Sequence, residues 1–238
     1  MEEGQKDTGG RLLVVIPTYN EIENVTLIIE AVLALEVGAH VLIVDDNSPD
    51  GTAAAVKAMQ QRHADRVFLL SRAGKQGLGS AYIAGFNWGL SHAYAHICEM
   101  DADFSHDPTD VPRLLHACEA RGASVAVGSR YRNGFRVKNW PWRRILLSYC
   151  ASLYVRLVTR MPVKDTTAGF VCYRAEALQK ILALRPHMNG YGYTIEEVPI
   201  YFTDRLRGKS KMSGGIFSEA LWGVLRMRVK YRSTRSAN

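Results

Sequence analysis

The first regular element of the chain is indicated by the stretch LLVVIPTYNE, residues 12–21. Its first half, residues 12–16, is entirely apolar and rich in β-branched side chains, which is typical of a strand buried on both faces. The run breaks at Pro17 into a polar segment. Asn20 and Glu23 have the spacing of a capping box, so a helix is predicted to begin there. The stretch therefore predicts a strand, a loop and a helix in succession.

The same succession recurs along the first half of the chain. Further apolar runs occupy residues 41–44, 67–70, 97–100 and 125–127, and helices are predicted over 52–62, from Ser80, and over 109–121. Repeated strand and helix units predict an α/β fold with an open, mostly parallel sheet flanked by helices. In such sheets, ligands bind beyond the carboxyl ends of the strands. The polar loops PTYNE, DDNSPDG and DADFSHDP fall at those ends.

Beyond residue 129 the pattern changes to a C-terminal helical elaboration. Helices are predicted over residues 142–160 and 175–184, and a strand over residues 194–202. Because no Gly/Ser-rich linker interrupts it, the stretch 11–212 is predicted to be one domain. Residues 1–10 are predicted to be a flexible N-terminus, and residues 213–238 an amphipathic basic helix and tail. The apolar side of that helix fits a membrane interface and core packing equally well.

Composition places the chain among folded proteins that meet an anionic partner. Hydrophobic residues make up 47% of the 238 residues and charged residues 22%, close to globular averages. The 30 Lys and Arg residues outnumber the 23 Asp and Glu residues, giving a formal net charge of +7. This excess favours phosphorylated ligands, anionic lipids or nucleic acid. Only the net charge favours nucleic acid, so nucleic acid is not predicted as a partner.

Cysteine spacing and hydropathy indicate the cellular compartment in which the protein is expected. The four cysteines form no CxxC motif, so free thiols in a reducing compartment are predicted. The N-terminal segment lacks an apolar signal region. The longest uncharged run, residues 77–98, is interrupted by glycines and polar side chains, and is a poor spanning helix. A cytoplasmic location without a transmembrane helix is expected.

The segment CEMDADFSHDP, residues 98–108, is the strongest candidate for a metal site. On a strand, residues two apart share a face, so Asp101 and Asp103 are predicted to project together. Two close carboxylates repel each other unless a cation lies between them, and Mg²⁺ or Mn²⁺ suits oxygen ligands. The alternative is that Asp103 caps a turn and Asp107 starts a helix. Taken alone the motif favours that alternative, but its position beside other acidic strand ends favours the metal.

The loop PTYNE and the end of the next strand suit a nucleoside. Tyr19 offers an aromatic face, and Glu21 and Asp46 offer carboxylates that accept hydrogen bonds from base and ribose. A helix start with a surface tyrosine explains the same residues equally well. A dinucleotide site is disfavoured because no GxGxxG motif follows the first strand. The segment RGKSK is no P-loop, since Thr203 stands where the first glycine must be.

Eight motifs in order carry a resemblance to a known family. They are IPTYNE, VDDNSPDGT, KQGLGSAY, MDADFSHDP, VGSRY, WPWRRILLS, DTTAGFVCYR and EVPIYFTDRLRGKSKM. Over residues 12–212 the chain resembles the dolichol-phosphate mannosyltransferase (polyprenol-phosphate mannosyl synthase) branch of glycosyltransferase family 2. The resemblance implies a GT-A fold with a Rossmann-like nucleotide-binding half. It also implies transfer of mannose from GDP-mannose to dolichyl or polyprenyl phosphate, with inversion and with Mg²⁺ or Mn²⁺ as cofactor.

The resemblance also implies roles for individual residues. The nucleotide sugar would be held by Pro17, Tyr19, Glu21, Val44, Asp46, Ala102, Arg205 and Lys211. The metal would be held by Asp101, Asp103 and Ser105. The acceptor phosphate would be held by Arg130, Arg144 and Ser148. Catalysis would depend on Asp101, Asp103 and Arg130.

The chain departs from the family pattern at two places. Ser105 stands where the family often has Gln, and a hydroxyl is a weaker metal ligand. The family pattern also has about one helix more between Tyr191 and Glu197, where GYGY in this chain runs almost directly into the strand.

The resemblance also implies a location. The protein would be peripheral on the cytoplasmic face of a membrane, with or without a separate membrane subunit.

Two alternatives to this function remain open. The first is the same reaction with another donor, such as UDP-glucose or UDP-N-acetylglucosamine. The second is a non-catalytic module that binds a nucleotide sugar or a lipid phosphate.

Overall fold

The computed structural model describes residues 12–184, 194–204 and 222–224. The strands are β1 Leu12–Thr18, β2 His40–Asp45, β3 Val67–Ser71, β4 His96–Glu99, β5 Val125–Ser129, β6 Val137–Lys138, β7 Val171–Arg174, β8 Ile195–Pro199 and β9 Phe202–Thr203. The helices are α1 Val25–Leu33, α2 Thr52–Arg62, α3 Leu78–Ser91, α4 Val111–Glu119, α5 Trp142–Thr159 and α6 Ala175–Leu184. A short 3₁₀ turn, Pro108–Asp110, precedes α4.

The main sheet has the order β3-β2-β1-β4-β7-β5-β8. Strand β7 runs antiparallel to both of its neighbours, and the other pairings in this sheet are parallel. The small strands β6 and β9 form a separate parallel pair. The predicted open, mostly parallel sheet is therefore confirmed, together with the helices that flank it.

Strand β1 is buried on both faces, as its sequence predicts. Leu12, Val14 and Ile16 belong to the apolar cluster beneath α1, α2 and α4. The alternate residues Leu13 and Val15 belong to the cluster beneath α3 and α6. The two side-chain layers on either face of one strand hold the sheet in the middle of the domain.

The predicted capping box at Asn20 is wrong. Helix α1 begins at Val25, and Asn20 has a φ of +56°. Its backbone N–H donates to Oγ of Ser48 at 3.0 Å, and that of Glu21 donates to Oγ1 of Thr52 at 3.0 Å. Hydrogen bonds to the loop after β2 and to the first residue of α2 therefore hold this segment in a turn, and helix α1 begins later than predicted.

The later elements agree with the predictions except at one strand. Helices α5 and α6 have the predicted extents to within a residue, but the strand predicted over 194–202 divides into β8 and β9. Cys98, Cys118 and Cys172 are buried free thiols, and Cys150 is an exposed one. Among the described residues, no helix has the length and apolar character needed to cross a membrane.

Two glycines of α3 let this helix approach the sheet closely. A Cβ at Gly85 would collide with Cγ1 of Val15 and would lie 3.1 Å from Cγ2 of Val44. A Cβ at Gly89 would lie 2.8 Å from side-chain atoms of Leu13 and Ile97. Contacts this short cannot exist, so glycine is required for this separation of helix and sheet.

Replacing Gly85 with Ala is expected to lower the free energy of unfolding by about 1–3 kcal/mol, the usual cost of overpacking a core. The clash is hard to relieve because β-branched Val15 is stiff at χ1. The matched control is Gly79→Ala in the same helix, where no atom lies within 4 Å of the added Cβ. This change is expected to stabilise the protein by up to about 1 kcal/mol. Urea unfolding followed by circular dichroism measures both variants, and equal effects would contradict the close approach.

Candidate active site

The polar loops meet at the carboxyl edge of the main sheet. Strands β2, β1 and β4 are parallel neighbours, so the segments that follow them emerge side by side. Strand β5 points the same way, because the antiparallel β7 separates it from β4. The loop that enters β7, residues 165–170, reaches this edge as well.

The buried carboxylate of Asp45 joins the loops after β1 and β2. Its Oδ1 accepts hydrogen bonds from Oγ1 of Thr18 at 2.8 Å and Oγ of Ser48 at 2.6 Å. Its Oδ2 accepts from the backbone N–H of Ser48 at 2.9 Å. Asp45 is therefore occupied in holding the loops together, and its neighbour Asp46 is the carboxylate in a position to meet a ligand.

Asp46, which was predicted to bind the nucleotide, lies against Arg72. Its Oδ1 is 3.2 Å from Nε of Arg72, and Nη2 of Arg72 donates to Oγ of Ser80 at 2.8 Å. Nη1 of Arg72 is buried and has no hydrogen-bond partner in the described part of the chain. Buried donors are rarely left unpaired, so an acceptor on a ligand fits this position.

The other residues predicted to hold the nucleotide border the same loops. They are Pro17, Tyr19, Glu21 and Val44. Nζ of Lys75 lies 5.2 Å from the centroid of the Tyr19 ring, a cation–π distance. Glu21 accepts a hydrogen bond from Nδ2 of Asn24 at 3.0 Å. Val44 is fully buried and packs beneath α3, so its side chain supports the site from below.

Asp101 and Asp103 are positioned by a turn. Strand β4 ends at Glu99, so the prediction that strand alternation directs both carboxylates to one face is wrong. Oδ1 of Asp101 accepts a hydrogen bond from the hydroxyl of Tyr82 at 3.1 Å. Oδ1 of Asp103 accepts from the backbone N–H of Ser105 at 3.1 Å and from its hydroxyl. Asp103 is 5% exposed, and Ala102 between the two carboxylates is also buried.

The oxygen atoms of this turn are suitable ligands for a hard divalent cation whose remaining coordination positions are filled by the substrate. Mg²⁺ is commonly held by one or two carboxylates together with water and substrate phosphates. In residues 12–184, 194–204 and 222–224, no three His, Cys, Asp or Glu side chains group to hold a metal. The donors present are Asp101, Asp103 and Ser105. A Cβ at Gly169 would lie 3.9 Å from Oδ2 of Asp101, so glycine there leaves space beside the carboxylate.

His106 lies buried behind this turn. It is 2% exposed, and its ring centroid is 5.0 Å from that of Phe170 and 5.1 Å from that of Phe202. Burial lowers the pKa of His106 to about 4, although the charge of Asp103 opposes the shift. The imidazole is therefore neutral near pH 7 and supports the turn by packing.

Glu99 is a further carboxyl group beside the site, and sequence reasoning missed it. Burial raises the pKa of Glu99 to about 8, the hydrogen bond from Tyr173 opposes the shift, and the charge of Asp101 adds to it. The hydroxyl of Tyr173 donates to Oε1 of Glu99 at 3.3 Å. Near pH 7 this group is therefore mostly a neutral acid. A single Glu at the end of a strand gives no sequence signal of this kind.

Arg130 follows β5 and forms a buried ion pair with Asp165. Its Nε donates to Oδ2 of Asp165 at 2.7 Å and its Nη2 donates to Oδ1 at 2.6 Å. Nη2 also donates to Oγ1 of Thr167 at 2.7 Å. Burial by itself would lower the pKa of Arg130, but the hydrogen bonds and charge of Asp165 raise it above its usual value. The guanidinium is thus fixed in place and permanently charged.

The other two residues predicted for the acceptor phosphate lie on the first turns of α5. Nη1 of Arg144 donates to Oδ1 of Asp204 at 2.7 Å, in a pair whose side chains are 44% and 36% exposed. Oγ of Ser148 accepts a hydrogen bond from the hydroxyl of Tyr131 at 2.8 Å. Tyr131 follows Arg130 directly, so the structure brings Arg130 and Ser148 into one neighbourhood.

Three groups of predictions lie outside the described residues. They are the phosphate-binding roles of Arg205 and Lys211, the first part (residues 191–193) of the shortened segment between Tyr191 and Glu197, and the flexible N-terminus at residues 1–10. Of the predicted C-terminal helix, only residues 222–224 are described, and they are helical.

Glu197 and Asp165 are the acidic residues of this region that sequence reasoning missed. Oε1 of Glu197 accepts hydrogen bonds from Oγ of Ser129 at 2.8 Å and from the backbone N–H groups of Lys164 at 2.9 Å and Asp165 at 3.0 Å. It therefore ties the loop before β7 to the end of β5. The motif DTTAGF marked this loop in the sequence. It did not indicate that Asp165 pairs with Arg130, which lies 35 positions earlier.

Comparison with known proteins identifies the family. The family model described as "Glycosyl transferase family 2" matches residues 13–182, which is most of the chain. The chain belongs to glycosyltransferase family 2. Its fold is therefore that of a glycosyltransferase of this family.

Two relatives in glycosyltransferase family 2 narrow the resemblance. "Polyprenol monophosphomannose synthase" of Mycolicibacterium smegmatis is 44% identical over 239 aligned positions, which cover 95% of this chain and 90% of the relative. "Undecaprenyl-phosphate mannosyltransferase" of Micrococcus luteus is 42% identical over 231 positions, which cover 91% of this chain and 93% of the relative. The resemblance to the polyprenol-phosphate mannosyl synthase branch is thus confirmed.

Solved structures of glycosyltransferases share the fold. Glucosyl-3-phosphoglycerate synthase from Mycobacterium tuberculosis, solved with Mn²⁺, UDP and glucosyl-3-phosphoglycerate, has a TM-score of 0.63 at 15% identity, covering 92% of this chain and 80% of that chain. Mannosyltransferase PcManGT from Pyrobaculum calidifontis, solved with GDP-Man and Mn²⁺, has a TM-score of 0.57 at 15% identity, covering 95% and 75%. The predicted GT-A fold is confirmed.

Proposed function

We propose that the protein transfers mannose from GDP-mannose to the phosphate of a polyprenyl lipid, at a membrane surface and with inversion at the anomeric carbon. The observation that carries the proposal is the loop of residues 165–170, which links an acidic donor side to a basic acceptor side. Asp165 holds Arg130, and Gly169 adjoins Asp101. The names of both relatives, which describe polyprenol or undecaprenyl phosphate and mannose, support the same substrates.

The donor side suits a nucleoside diphosphate sugar. Tyr19 presents an aromatic ring, Asp46 presents a buried carboxylate, and Arg72 presents a guanidinium on a side chain that is 10% exposed. Base and ribose groups donate and accept hydrogen bonds. The carboxylate can accept from their donors, and the guanidinium can donate to their acceptors. The diphosphate would then lie over Asp101 and Asp103, which directly follow the neighbouring strand.

Asp101, Asp103 and Ser105 would hold a divalent metal against the diphosphate. When bound, such a metal neutralises the charge that develops on a departing diphosphate and orients it. The carboxylates of this chain supply the ligands, and the turn after β4 fixes their separation. Gly169 keeps the space beside Asp101 open.

The acceptor side needs to position its substrate and needs no strong base. A phosphate monoester has a second pKa of about 6 and is already an anion near pH 7. The buried Arg130 and the half-exposed Arg144 can aim one phosphate oxygen at the anomeric carbon. Attack from the side opposite the departing diphosphate inverts the configuration in a single displacement. Neutral, buried His106 has no part in this step.

Helix α5 offers an apolar surface next to the phosphate-binding residues. Leu146, Leu153 and Leu157 are 53%, 39% and 70% exposed, and their spacing places them on one side of the helix. Arg143 and Arg156 lie on the same helix, and Arg160 directly follows its last residue. Apolar and basic side chains on one exposed helix suit an anionic membrane that carries the polyprenyl chain.

The test is transfer of radiolabel to lipid. The protein is incubated with polyprenyl phosphate in anionic vesicles, with Mg²⁺ or Mn²⁺, and with labelled GDP-mannose, UDP-glucose or UDP-N-acetylglucosamine in parallel. Label is expected in the organic phase from GDP-mannose alone, it should disappear with EDTA, and the product should be the β-anomer. The protein is also expected to sediment with the vesicles.

Other outcomes of this assay point to the alternatives. Label from a UDP-sugar would mean the same chemistry with another donor. Binding of GDP-mannose without product, under conditions that support a related synthase, would mean a non-catalytic binding module. Polyprenol without its phosphate is the control for the acceptor, and label in that lipid would contradict the proposed role of the phosphate.

A further inference from the structure

The indole N–H of Trp140 is a buried donor that nothing in the described chain satisfies. Trp140 lies in the loop between β6 and α5, and its Nε1 is buried without a hydrogen-bond partner among the described residues. Native structures rarely leave a buried N–H unpaired. An indole N–H can only donate, so the missing partner must be an acceptor.

The surroundings of this indole select an anion. The guanidinium carbon of Arg144 lies 4.1 Å from the ring centroid of Trp140, and that of Arg130 lies 5.7 Å from it. Both guanidinium groups therefore lie close to one indole ring, and both belong to residues predicted to hold the acceptor phosphate. An acceptor that arrives beside two guanidinium groups is favoured when it carries negative charge.

The start of α5 adds to the same positive field. The helix begins at Trp142 and has 18 residues, its N-cap Pro141 supplies no side-chain cap, and its first turn contains no acidic residue. The unpaired N–H groups of a first turn attract anions. Arg143 and Arg144 occupy this turn, where cations are unfavourable. Their placement is explained if an anion binds there, although Asp204 already pairs with Arg144.

We propose that Nε1 of Trp140 donates a hydrogen bond to the phosphate of the lipid acceptor. Trp140 is then a phosphate-binding residue that fixes the acceptor beside Arg130 and Arg144. It also favours acceptors that carry a phosphate over the corresponding alcohols. This inference rests on the proposed function, because it assigns a further contact to the same acceptor site.

The direct test observes the indole N–H without turnover. The protein is labelled with ¹⁵N at tryptophan indoles, and ¹H–¹⁵N spectra are recorded while farnesyl phosphate is added. The Trp140 signal, assigned from the Trp140→Phe variant, is expected to move downfield and saturate. The exposed Trp142 indole serves as the internal control, and farnesol as the ligand control. A Trp140 signal that moves equally with farnesol, or does not move, would overturn the proposal.

A second test separates this contact from general packing. Trp140→Phe keeps an aromatic ring close to both arginines and removes the N–H. Loss of one hydrogen bond to a charged group is expected to raise KM for farnesyl phosphate about tenfold or more. KM for the donor and the melting temperature should stay at the wild-type values. The matched control Trp142→Phe, 68% exposed before the change, should leave all three unchanged.

The two proposals fail in different ways. If the wild-type protein makes mannosyl lipid but farnesyl phosphate does not shift the Trp140 indole signal, the inference about Trp140 is wrong and the proposed function stands. If no product forms but the indole shifts with farnesyl phosphate and not with farnesol, the phosphate contact stands and the proposed transfer is wrong. If Trp140→Phe raises both KM values and lowers the melting temperature together, the role of Trp140 is structural and the inference is overturned.

Discussion

The Asp103→Asn variant is expected to lose about a thousandfold in turnover, which corresponds to about 4 kcal/mol of transition-state stabilisation. The reason is that a carboxylate ligand of the proposed metal becomes a neutral amide, which binds a hard cation poorly. Asn is preferred to Ala because its Oδ1 can still accept from the backbone N–H of Ser105, as Asp103 does at 3.1 Å. The measurement is the rate of mannosyl lipid formation at saturating donor, with Mg²⁺ and Mn²⁺ titrated separately.

The control for this variant is Asp107→Asn in the same loop. It removes the same unit of negative charge, and Asn can still accept from the backbone N–H of Thr109, as Asp107 does at 2.9 Å. We expect the control to keep wild-type turnover and wild-type dependence on metal. If Asp103→Asn were as active as Asp107→Asn, the assignment of Asp103 to the metal would be wrong.

The Asp165→Asn variant is expected to lower the free energy of unfolding by about 3–5 kcal/mol, because it leaves a buried guanidinium without its counter-charge. Asp165 is 1% exposed and Arg130 is 6% exposed. Domains of this kind are stable by about 5–15 kcal/mol in total, so the variant is expected to be marginally folded. Urea unfolding followed by circular dichroism and fluorescence measures the change.

An exposed ion pair of the same type provides the comparison. Asp204 pairs with Arg144 at 2.7 Å, but both side chains are in contact with water. Asp204→Asn is therefore expected to change the free energy of unfolding by no more than about 1 kcal/mol. Equal losses in the two variants would mean that the buried pair of Arg130 and Asp165 is not formed in solution.

The carboxyl edge of the sheet could be predicted because its signals are local. The unbroken apolar run of β1, residues 12–16, indicates a strand covered on both faces, and the polar loops after such strands in a parallel sheet share one edge. This pattern predicts that the loops carrying Tyr19, Asp46, Asp101 and Asp103 lie along one edge of the sheet. The orientation of the two aspartates could not be predicted in this way, since β4 ends at Glu99, four residues before Asp103, and the alternation argument requires a strand that includes both aspartates.

Contacts between distant segments were beyond the reach of sequence patterns. Nothing near Arg130 indicates that its partner is Asp165, because the pairing depends on β7 entering the sheet antiparallel between β4 and β5. The turn at Asn20 depends in the same way on Ser48 in the loop after β2 and on Thr52 at the start of α2. In both cases a hydrogen bond from another part of the chain outweighs the local preference.

The sequence by itself therefore determined the α/β class, the parallel half of the sheet, the edge at which the polar loops meet and the acidic character of those loops. Tertiary structure alone decided which charges are neutralised by partners, how Trp140 comes to lie close to two arginines, and where Glu99 becomes a neutral acid. The physical reason is the distance along the sequence over which each effect acts. Periodic burial and loop chemistry are properties of neighbouring residues, whereas desolvation and ion pairing are set by whichever distant segments the packed fold brings together.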